Sequence, residues 1–580
     1  MLILYREEET FLSIFNDINK LLKQTSVFKK PWFWLLLIVF LGFVFRLVAY
    51  GFIKLPWIIY DEFLYLDAAR QIGRGAYVPI VFKDYQQYPM GWPVILAGIG
   101  GVLSNPYFQY KLLLLFTSLL SSLVPLLVYA FSGSFLLSAL MTVFPPLFIY
   151  SSNIMSETAF ILALMALVVI LKFVLGEDLK TVKSSWLSAL VVAFLLVYLR
   201  SIRSFGIILF PTFILSSLMV ITAAFWHEKK FSRHLITIVK FVVMTALIYV
   251  VLEFVYKMFL VPKSDFYDKE NYFDAMRYGF THLKLSWQLI KNQAVVMFSS
   301  LYWTLPAFFI YETLRKFRRQ EYNELFVRLF VLLSYAAAFF LTLLHMIKGI
   351  SNNPQYALFS RYLDPFAVLL FMIAAKDFLE LVKEKVLRRK DLMALLFLGT
   401  LLSFWHLKAG FYLGSYKFGN TMSVYFLKDL VESRLGMFYL FVFLITTGFL
   451  VLRDKKNLLL PLFALYFVFQ TFNTIIATRG VPKYVGDKYQ ITLNGWTTAL
   501  NKMQSDVPIC LYGKINISSE VFYLYHFAYP YQYLLPCSQY GKNKPHRILL
   551  RNEETSLPKS CVLEYRFSYG DAYYYCPLGY

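Results

Sequence analysis

The sequence predicts an α-helical polytopic membrane protein that carries a small mixed or β-containing domain at its C-terminal end. Hydrophobic residues make up 58% of its 580 residues and charged residues only 16%, with a mean hydropathy of +0.56. Apolar runs of about 20 residues, the length that crosses a bilayer core, recur along most of the chain. Because a backbone in hydrocarbon must satisfy its own polar groups, such runs are predicted to be helices.

The excess of basic residues, 57 Lys and Arg against 35 Asp and Glu, lies in short clusters between the apolar runs. Cytoplasmic loops of membrane proteins carry such clusters, so we interpret the net charge as a signal of topology rather than of nucleic-acid binding. Lys29 and Lys30 precede the first run and place the N-terminus in the cytoplasm. The later clusters predicted to be cytoplasmic are Lys180–Lys183, Lys229–Arg233, Lys316–Arg319, Lys383–Lys390 and Arg453–Lys456.

Hydropathy predicts about 13 membrane-spanning helices, which form a transmembrane domain over residues 31–476. The apolar segment Trp92–Leu103 is left unspanned, because it is short and glycine-rich and because a span there would put the later basic clusters outside. The odd number of spans then places the C-terminus outside. The predicted spans cover residues 31–52, 107–130, 133–151, 156–175, 185–201, 204–226, 235–260, 292–316, 324–346, 362–381, 391–408, 434–452 and 457–476.

Two further segments flank the predicted membrane domain. Residues 1–30 are predicted to form a cytoplasmic amphipathic helix rather than a cleaved signal peptide, since apolar residues from Phe11 to Leu22 share one helical face. Residues 477–580 are predicted to form an extracytoplasmic domain with strands such as Val521–Phe527. This domain holds all four cysteines, which form two disulfides in one of three pairings or remain free thiols: Cys510, Cys537, Cys561 and Cys576.

Two adjacent carboxylates open the first predicted outer loop, residues 53–107. Asp61 is predicted to cap a helix that runs to about Arg74, with Glu62 beside it, and the apolar stripe of this helix predicts that it lies on the membrane surface. A carboxylate at a helix N-terminus is stabilised in its ionised form, which a general base requires. Simple helix capping by Asp61 explains the same spacing, and the spacing alone favours capping.

Two other acids are candidates for substrate binding on the outer side. Asp84 lies later in the first outer loop, where it could position an acceptor or a metal ion. Glu157 begins the fourth predicted span. A carboxylate there either caps the helix and reaches toward water or belongs to a functional site, because acids at membrane depth are costly.

Basic residues at the outer ends of the predicted spans indicate a phosphate site. Arg200 and Arg203 lie in a predicted outer turn, against the positive-inside bias, and Lys348 and Arg361-Tyr362 bound another outer loop. The guanidinium fork of arginine matches phosphate oxygens. We assign all five residues to substrate binding, with interfacial anchoring of the cations as the alternative.

The sequence lacks the motifs of several other chemistries. It contains no HExxH, no phosphate-binding P-loop, no dinucleotide-binding glycine motif and no nucleophile elbow. We therefore assign no metal ligands, and a divalent cation is left open. Glu253 and Lys257 lie four residues apart on one predicted span and are predicted to pair.

The order of these features resembles the GT-C class of polytopic glycosyltransferases, which includes protein O-mannosyltransferases and lipid A aminoarabinose transferases. The resemblance begins with Phe45-Arg46-Leu47, Asp61-Glu62 and the entry Tyr88-Pro89-Met90-Gly91-Trp92-Pro93 to a juxtamembrane helix. Ser156-Glu157, Arg203-Ser204-Phe205-Gly206 and Arg361-Tyr362 resemble later landmarks of the class. The entry lacks the His-Pro-Pro of protein O-mannosyltransferases, which leaves the acceptor undetermined.

The resemblance implies a glycosyltransferase that moves a sugar from a polyprenyl phosphate to a lipid, glycan or protein acceptor on the extracytoplasmic side. It implies that Asp61 is the base, that Glu62 positions the loop or the sugar, and that Arg203 and Arg361, with Arg200, hold the leaving phosphate. The lysine-rich, histidine-poor composition and the lack of a targeting signal favour the plasma membrane, with the endoplasmic reticulum as the alternative. A secondary transporter or lipid flippase is the alternative, although the sequence shows no internal repeat of the kind such proteins carry. A non-catalytic assembly protein would leave these charged residues without a role.

Overall fold

The computed structural model describes residues 30–56, 59–75, 89–103, 105–175, 185–228, 233–260, 269–300, 305–349 and 361–383, isolated positions within 446–475, and five strands between residues 509 and 576. Most of these residues are helical. Helices α1 to α15 cover, in chain order, Pro31–Tyr50, Ile59–Gly73, Gly91–Leu96, Pro106–Ser132, Phe135–Thr142, Pro145–Tyr150, Glu157–Val174, Ser185–Ile202, Leu209–Glu228, Arg233–Leu260, Lys269–Thr281, Leu283–Ser300, Leu305–Arg318, Tyr322–Gly349 and Asp364–Lys383.

Six helical segments in the described residues are long and apolar enough to cross a membrane, and the chain is an integral membrane protein. Each of the six coincides with a span predicted from hydropathy. Helices α8 and α15 also match the predicted bounds of the spans 185–201 and 362–381. The six segments are Pro31–Tyr50, Pro106–Ser132, Glu157–Val174, Ser204–His227, Ile236–Met258 and Tyr322–Ile347.

One predicted span, 133–151, is wrong as a single helix. The segment 133–151 forms α5 and α6, separated at Phe144, whose backbone is extended ahead of Pro145. Proline disfavours the helical conformation of the residue before it and has no N–H to donate, so the helix restarts there. The predicted span 292–316 covers the end of α12 and most of α13, and residues 301–304 between these helices lie outside the described residues.

Other predictions lie outside the described residues. They include the amphipathic helix, except for Lys30, the spans 391–408 and 434–452, most of 457–476, and the strand Val521–Phe527. The predicted count of spans therefore stays a prediction, as do the domain boundaries at residues 30 and 476.

The segment predicted to remain unspanned forms a short helix against α2. The six residues of α3 continue as five π-helical residues, Ala97–Gly101, a combined length of about 16 Å at the α-helical rise, half a bilayer core. A Cβ on Gly101 would lie 2.6 Å from the Ala69 carbonyl oxygen, so glycine permits this close approach to α2. The apolar stripe of α2 is buried against the protein, and its predicted place at the membrane surface stays a prediction.

The longest of the early helices, α4, has clear end signals in the sequence. The Asn105 side chain accepts hydrogen bonds from the backbone N–H groups of Tyr107 and Phe108, both at 3.0 Å, ahead of Pro106 at the first helical position. At the other end Gly133 adopts φ +67°, the left-handed conformation that favours glycine. Packed pairs of helices then build the core: α4 with α7, α8 with α10, α9 with α14, and α13 with α15.

A buried arginine joins α1 to α4. Arg46 is fully buried, donates from Nε to Ser121 Oγ at 3.1 Å, and lies 5.2 Å from the centre of the Phe148 ring. Its Nη1 donates to the Gly42 carbonyl oxygen of its own helix at 3.0 Å. These contacts indicate that Arg46, one of the residues that carried the family resemblance, fastens helices together.

Five strands near the end of the chain form one mixed sheet. They are β1 Ile509–Leu511, β2 Leu535–Pro536, β3 His546–Leu550, β4 Val562–Arg566 and β5 Ala572–Cys576, in the spatial order β2-β1-β3-β5-β4. Strands β2, β1 and β3 run parallel, whereas β3, β5 and β4 pair antiparallel. Cys510 lies in β1 and Cys576 ends β5, while Cys537 and Cys561 lie outside the described residues.

Candidate active site

Four charged side chains from distant parts of the sequence meet in one cluster. Arg361 donates from Nη1 to Asp61 Oδ2 and from Nε to Glu157 Oε1. The same oxygen of Glu157 lies 2.6 Å from Arg203 Nη1. We call Asp61, Glu157, Arg203 and Arg361 the carboxylate–arginine cluster. It contains two acids and two bases, so its formal charge balances.

The cluster is buried, and Asp61 is its most accessible member. The Asp61 side chain is 16% exposed, against 8% for Arg361, 7% for Arg203 and 0% for Glu157. Taking charges out of water is costly, and the mutual pairing of these four groups offsets that cost. Asp61 is therefore the member of the cluster that is most open to contact from outside.

The position of Asp61 follows from where α2 begins. The helix starts at Ile59, so Asp61 and Glu62 lie in its first turn, and the predicted role of Asp61 as N-cap is wrong. An acid in the first turn still interacts favourably with the helix dipole. The predicted end is confirmed: α2 stops at Gly73, and Gly75 adopts φ +88°.

Glu62 points away from the cluster and holds the segment that leads to Glu157. It is fully buried, and its Oε1 accepts from Tyr110 Oη at 2.8 Å and from the Ile154 backbone N–H at 2.9 Å. The Trp92 indole donates to the Ile154 carbonyl oxygen at 2.7 Å, so both sides of this peptide segment are fixed. These contacts support the loop-positioning role that the sequence suggested for Glu62.

Substituting Glu62 separates positioning from catalysis. Glu62→Gln retains an oxygen for both donors and is expected to keep turnover within about tenfold of wild type, because it removes charge but little geometry. Glu62→Ala leaves two buried donors without an acceptor and is expected to lower stability by about 2–3 kcal/mol. Thermal unfolding and initial rates measure both variants. A complete loss of turnover in a folded Glu62→Gln protein would instead make Glu62 a catalytic group.

Aromatic rings hold Arg203 in place. Its Cζ lies 5.5 Å from the centre of the Tyr362 ring, which stacks on Phe205 at 4.3 Å with an interplanar angle of 17°. His345 of α14 meets the edge of Tyr362, with their ring centres 5.2 Å apart. Tyr362, predicted to bind substrate, therefore packs among protein groups and orients Arg203 next to Glu157.

The turn that presents Arg203 requires a glycine. Arg203 itself is extended, and a short 3₁₀ helix, Ser204–Ile208, follows it. A Cβ on Gly206 would lie 2.6 Å from backbone atoms of Leu199 and Arg200. Side chains cannot approach backbone so closely, so the turn closes only with glycine at this position.

Gly206→Ala is expected to displace Arg203 from Glu157. Relief of the backbone overlap moves the turn, at a cost of about 2 kcal/mol in stability and with loss of most turnover. Thermal unfolding and initial rates measure both effects. The matched control is Gly98→Ala, because a Cβ at Gly98 meets no atom within 4 Å. Equal behaviour of the two variants would contradict the role assigned to this turn.

Both arginines of the cluster keep their charge at every assay pH. Burial alone would lower the pKa of Arg203, but the Glu157 carboxylate outweighs it and raises that pKa above its ordinary value. For Arg361 burial again acts first, and Glu157 and Asp61 together raise the pKa well above the ordinary range. A base whose pKa rises on folding loses its stabilising contribution only as the pH climbs through the raised value, which lies beyond any assay.

The phenol of Tyr65 stays neutral because its pKa is also raised. Burial, followed by the charge of Glu157, raises the pKa of its phenol. Its hydroxyl lies 3.2 Å from Ser156 Oγ, next to the start of α7. Tyr65 therefore serves as a neutral hydrogen-bonding group that ties α2 to the residue preceding Glu157.

The remaining predicted site residues are Arg200, Lys348 and Asp84. Arg200 bonds to Glu253 of α10, which also lies 3.5 Å from Lys257, so the predicted Glu253–Lys257 pair is confirmed but shared. Lys348 belongs to the last turn of α14. Asp84 lies outside the described residues, so its role stays a prediction.

One acid beside the cluster was not among the site residues predicted from the sequence. Asp364 is fully buried at the start of α15, where it accepts a hydrogen bond from Tyr150 of α6. This bond anchors the residues that follow Arg361. The signal was present, since Asp364 stands three residues after Arg361 and ahead of Pro365, the start pattern of a helix. Across the described ranges no three His, Cys, Asp or Glu side chains converge as metal ligands would.

Comparison with solved structures reveals a similar fold. The structure of ArnT from Cupriavidus metallidurans bound to undecaprenyl phosphate matches 94% of this chain and 98% of its own, with a TM-score of 0.56 and 13% sequence identity. Its apo state matches 93% and 97%, with a TM-score of 0.51 and 12% identity. The predicted GT-C resemblance is confirmed for the fold. No family model and no curated protein matches the sequence.

Proposed function

We propose that this protein is a membrane glycosyltransferase that moves a sugar from a polyprenyl-phosphate donor to an acceptor on the extracytoplasmic side. The observation that carries the proposal is the carboxylate–arginine cluster, in which an accessible acid stands in front of two buried arginines. The similar ArnT fold supports it, because that protein was solved with undecaprenyl phosphate bound.

The two arginines suit the leaving group of such a reaction. The donor is a phosphodiester with one negative charge, and the leaving polyprenyl phosphate carries two when the bond from the anomeric carbon to the phosphate oxygen breaks. Charge therefore develops on the phosphate, and preorganised guanidinium groups stabilise it more in the transition state than in the ground state. Arg203 and Arg361 remain cationic throughout, as their raised pKa values require.

Asp61 is positioned to accept the proton of the acceptor. As the acceptor oxygen or nitrogen bonds to the anomeric carbon, its proton passes to the Asp61 carboxylate, and the configuration at that carbon inverts. In the structure Asp61 is occupied by Arg361. When the donor phosphate binds, Arg361 pairs with the phosphate instead of with Asp61. The Asp61 carboxylate is then free to interact with the acceptor.

Several further assignments belong to the same proposal. Asp84, in the predicted first outer loop, positions the acceptor or a divalent cation, and Lys348, in the last turn of α14, contributes to binding the donor phosphate. The protein lies in the plasma membrane with its N-terminus in the cytoplasm and residues 477–580 outside. Arg200 is left out of the phosphate site, because Glu253 engages it.

The experiment that tests the proposal is turnover of a panel of radiolabelled polyprenyl-phosphate sugars by the purified protein in lipid. Release of sugar to water or to added acceptors identifies the donor and supports the transferase. If the whole panel stays intact while the protein moves lipid or solute across vesicle bilayers, the transporter or flippase alternative replaces it. Lipid scrambling measured in the same vesicles supplies that second outcome.

A further inference from the structure

An open groove lies between α9 and α13, at the end of the bundle away from the carboxylate–arginine cluster. It has a volume of about 470 Å³ and is lined by Leu218, Met219, Thr222 and Trp226 of α9 and by Phe317 of α13. We call it the α9–α13 groove. Its volume falls within the range of about 300–1,000 Å³ that small-molecule sites occupy.

The groove lies one membrane thickness from the site. The 3₁₀ turn after Arg203 feeds directly into α9, which is 20 residues long. At the α-helical rise this helix measures about 30 Å, the thickness of a bilayer core, so Trp226 lies near the opposite interface. Helix α14 leads from the groove back to the site. It begins at Tyr322 beside α13 and reaches His345 beside the cluster, so it also places the groove and the cluster at opposite ends of the bundle.

The wall of the groove is apolar, and the end of the groove at His227 is polar. Leu218 is 55% exposed and Trp226 79% exposed, and both face the space that lipid tails fill. His227 closes the end of the groove, with its ring 5.4 Å from the ring of Phe317. An apolar wall that ends in an aromatic and an imidazole is the shape of a lipid tail site rather than of a sugar site.

Three cations are sequence neighbours of Phe317 at the end of α13. Lys316 is compensated by Glu321 at 2.5 Å and Glu324 at 3.0 Å. Arg318 and Arg319 are exposed; Arg319 has only a contact at 4.0 Å with Glu321, and Arg318 has no ion pair within the described part of the chain. The end of α13 beside Phe317 therefore presents two arginines whose charge is largely uncompensated.

We propose that the α9–α13 groove binds one anionic phospholipid from the leaflet opposite the active site, with an acyl chain against Trp226 and Phe317 and the phosphate group on Arg318 and Arg319. Charge complementarity selects an anionic over a zwitterionic lipid, because basic pockets near the membrane surface attract anionic headgroups. This proposal is independent of the glycosyltransferase function, since the groove shares no residue with the carboxylate–arginine cluster.

Lipid binding to the purified, delipidated full-length protein tests it, with native mass spectrometry as the readout. The probes are dioleoyl phosphatidylglycerol and dioleoyl phosphatidylcholine. Wild type is expected to bind one phosphatidylglycerol about tenfold more tightly than phosphatidylcholine. Arg318→Gln combined with Arg319→Gln is expected to abolish the preference, and Thr222→Trp, which fills the groove from an exposed position, is expected to weaken binding of both lipids.

The matched control removes two exposed cations elsewhere. Arg277 of α11 and Lys284 of α12 are exposed and line no part of the groove, so Arg277→Gln combined with Lys284→Gln is expected to keep the preference. Equal binding of the two lipids by wild type, or equal loss in the control, would overturn the proposal. A dimer that dissociates on Thr222→Trp without any lipid preference would also overturn it, because a second copy would then cover the groove.

Discussion

Replacing Arg361 with glutamine is expected to abolish transfer and to destabilise the protein. Arg361 bonds to Asp61 and Glu157 at once, so its loss leaves a buried carboxylate with one partner fewer and removes a donor to the leaving phosphate. Removing one partner of a buried pair costs about 3–5 kcal/mol, and removing one preorganised donor lowers turnover by at least about 100-fold. Thermal unfolding and single-turnover kinetics measure the two effects.

A second buried arginine supplies the control for this variant. Arg200 bonds to Glu253 and is as buried as Arg361. Arg200→Gln is therefore expected to lower stability in a similar way and to leave the turnover of the folded fraction close to wild type. Arg361→Lys keeps the charge but not the two-pronged geometry, so it is expected to recover stability more than activity. Equal turnover of the Arg200 and Arg361 variants would refute the assignment of Arg361 to the phosphate.

Replacing Glu157 with glutamine is expected to have the largest effect on stability. Glu157 is fully buried and compensates Arg203 and Arg361 together. A neutral amide of the same shape leaves two adjacent guanidinium groups without their shared counter-charge, which costs about 3–5 kcal/mol or more. Low yield, a lower unfolding temperature and loss of turnover are the expected results, measured beside wild type in the same detergent.

A double variant shows whether that loss comes from electrostatic coupling. Because Arg361 still pairs with Asp61, Glu157→Gln leaves Arg203 as the uncompensated cation, and adding Arg203→Met removes it. The double variant is therefore expected to be more stable than the sum of the single effects allows. Glu157→Asp retains the charge on a shorter arm and is expected to fold with reduced turnover. Strict additivity of the two single effects would show that Glu157 and Arg203 are not coupled.

The composition of the cluster was predictable from the sequence, whereas its pairing was not. All four members were named from adjacent acids, from a carboxylate at a span boundary and from arginines on the side that normally lacks them. The partners that meet are separated by up to 300 positions, as Asp61 and Arg361 are, and no local pattern encodes such contacts. The tertiary packing of α2, α7 and the segment that precedes α15 decides them.

The choice between Arg200 and Arg203 illustrates the same limit. They stand three residues apart, and the sequence assigned both to a phosphate. Arg200 is in the last turn of α8 and faces Glu253 on α10, whereas Arg203 follows the helix end, where its extended backbone turns the side chain to Glu157. The end of α8 lies between these two arginines and decides their different partners. A sequence places such a helix end only to within a residue or two.

The helical architecture was predictable wherever hydropathy and end signals agree. Spans such as α4, with Asn105 and Pro106 at one end and Gly133 at the other, were placed almost to the residue. The predicted span 133–151 was wrong because mean hydropathy does not register the break at Pro145 and Pro146, although both prolines were visible. The burial of the apolar stripe of α2 by neighbouring helices was not predicted, because a helix covered by protein and one that rests on a membrane carry the same stripe.

The most direct test of the account compares Asp61→Asn with Asp67→Asn in donor turnover. Both changes replace an acid of α2 by its amide, but Asp67 contacts Gln71 of the same helix at 3.3 Å, whereas Asp61 belongs to the cluster. We expect that folded Asp61→Asn still binds the polyprenyl-phosphate donor and loses at least about 100-fold in turnover, while Asp67→Asn stays close to wild type. Turnover of Asp61→Asn equal to that of Asp67→Asn would contradict it.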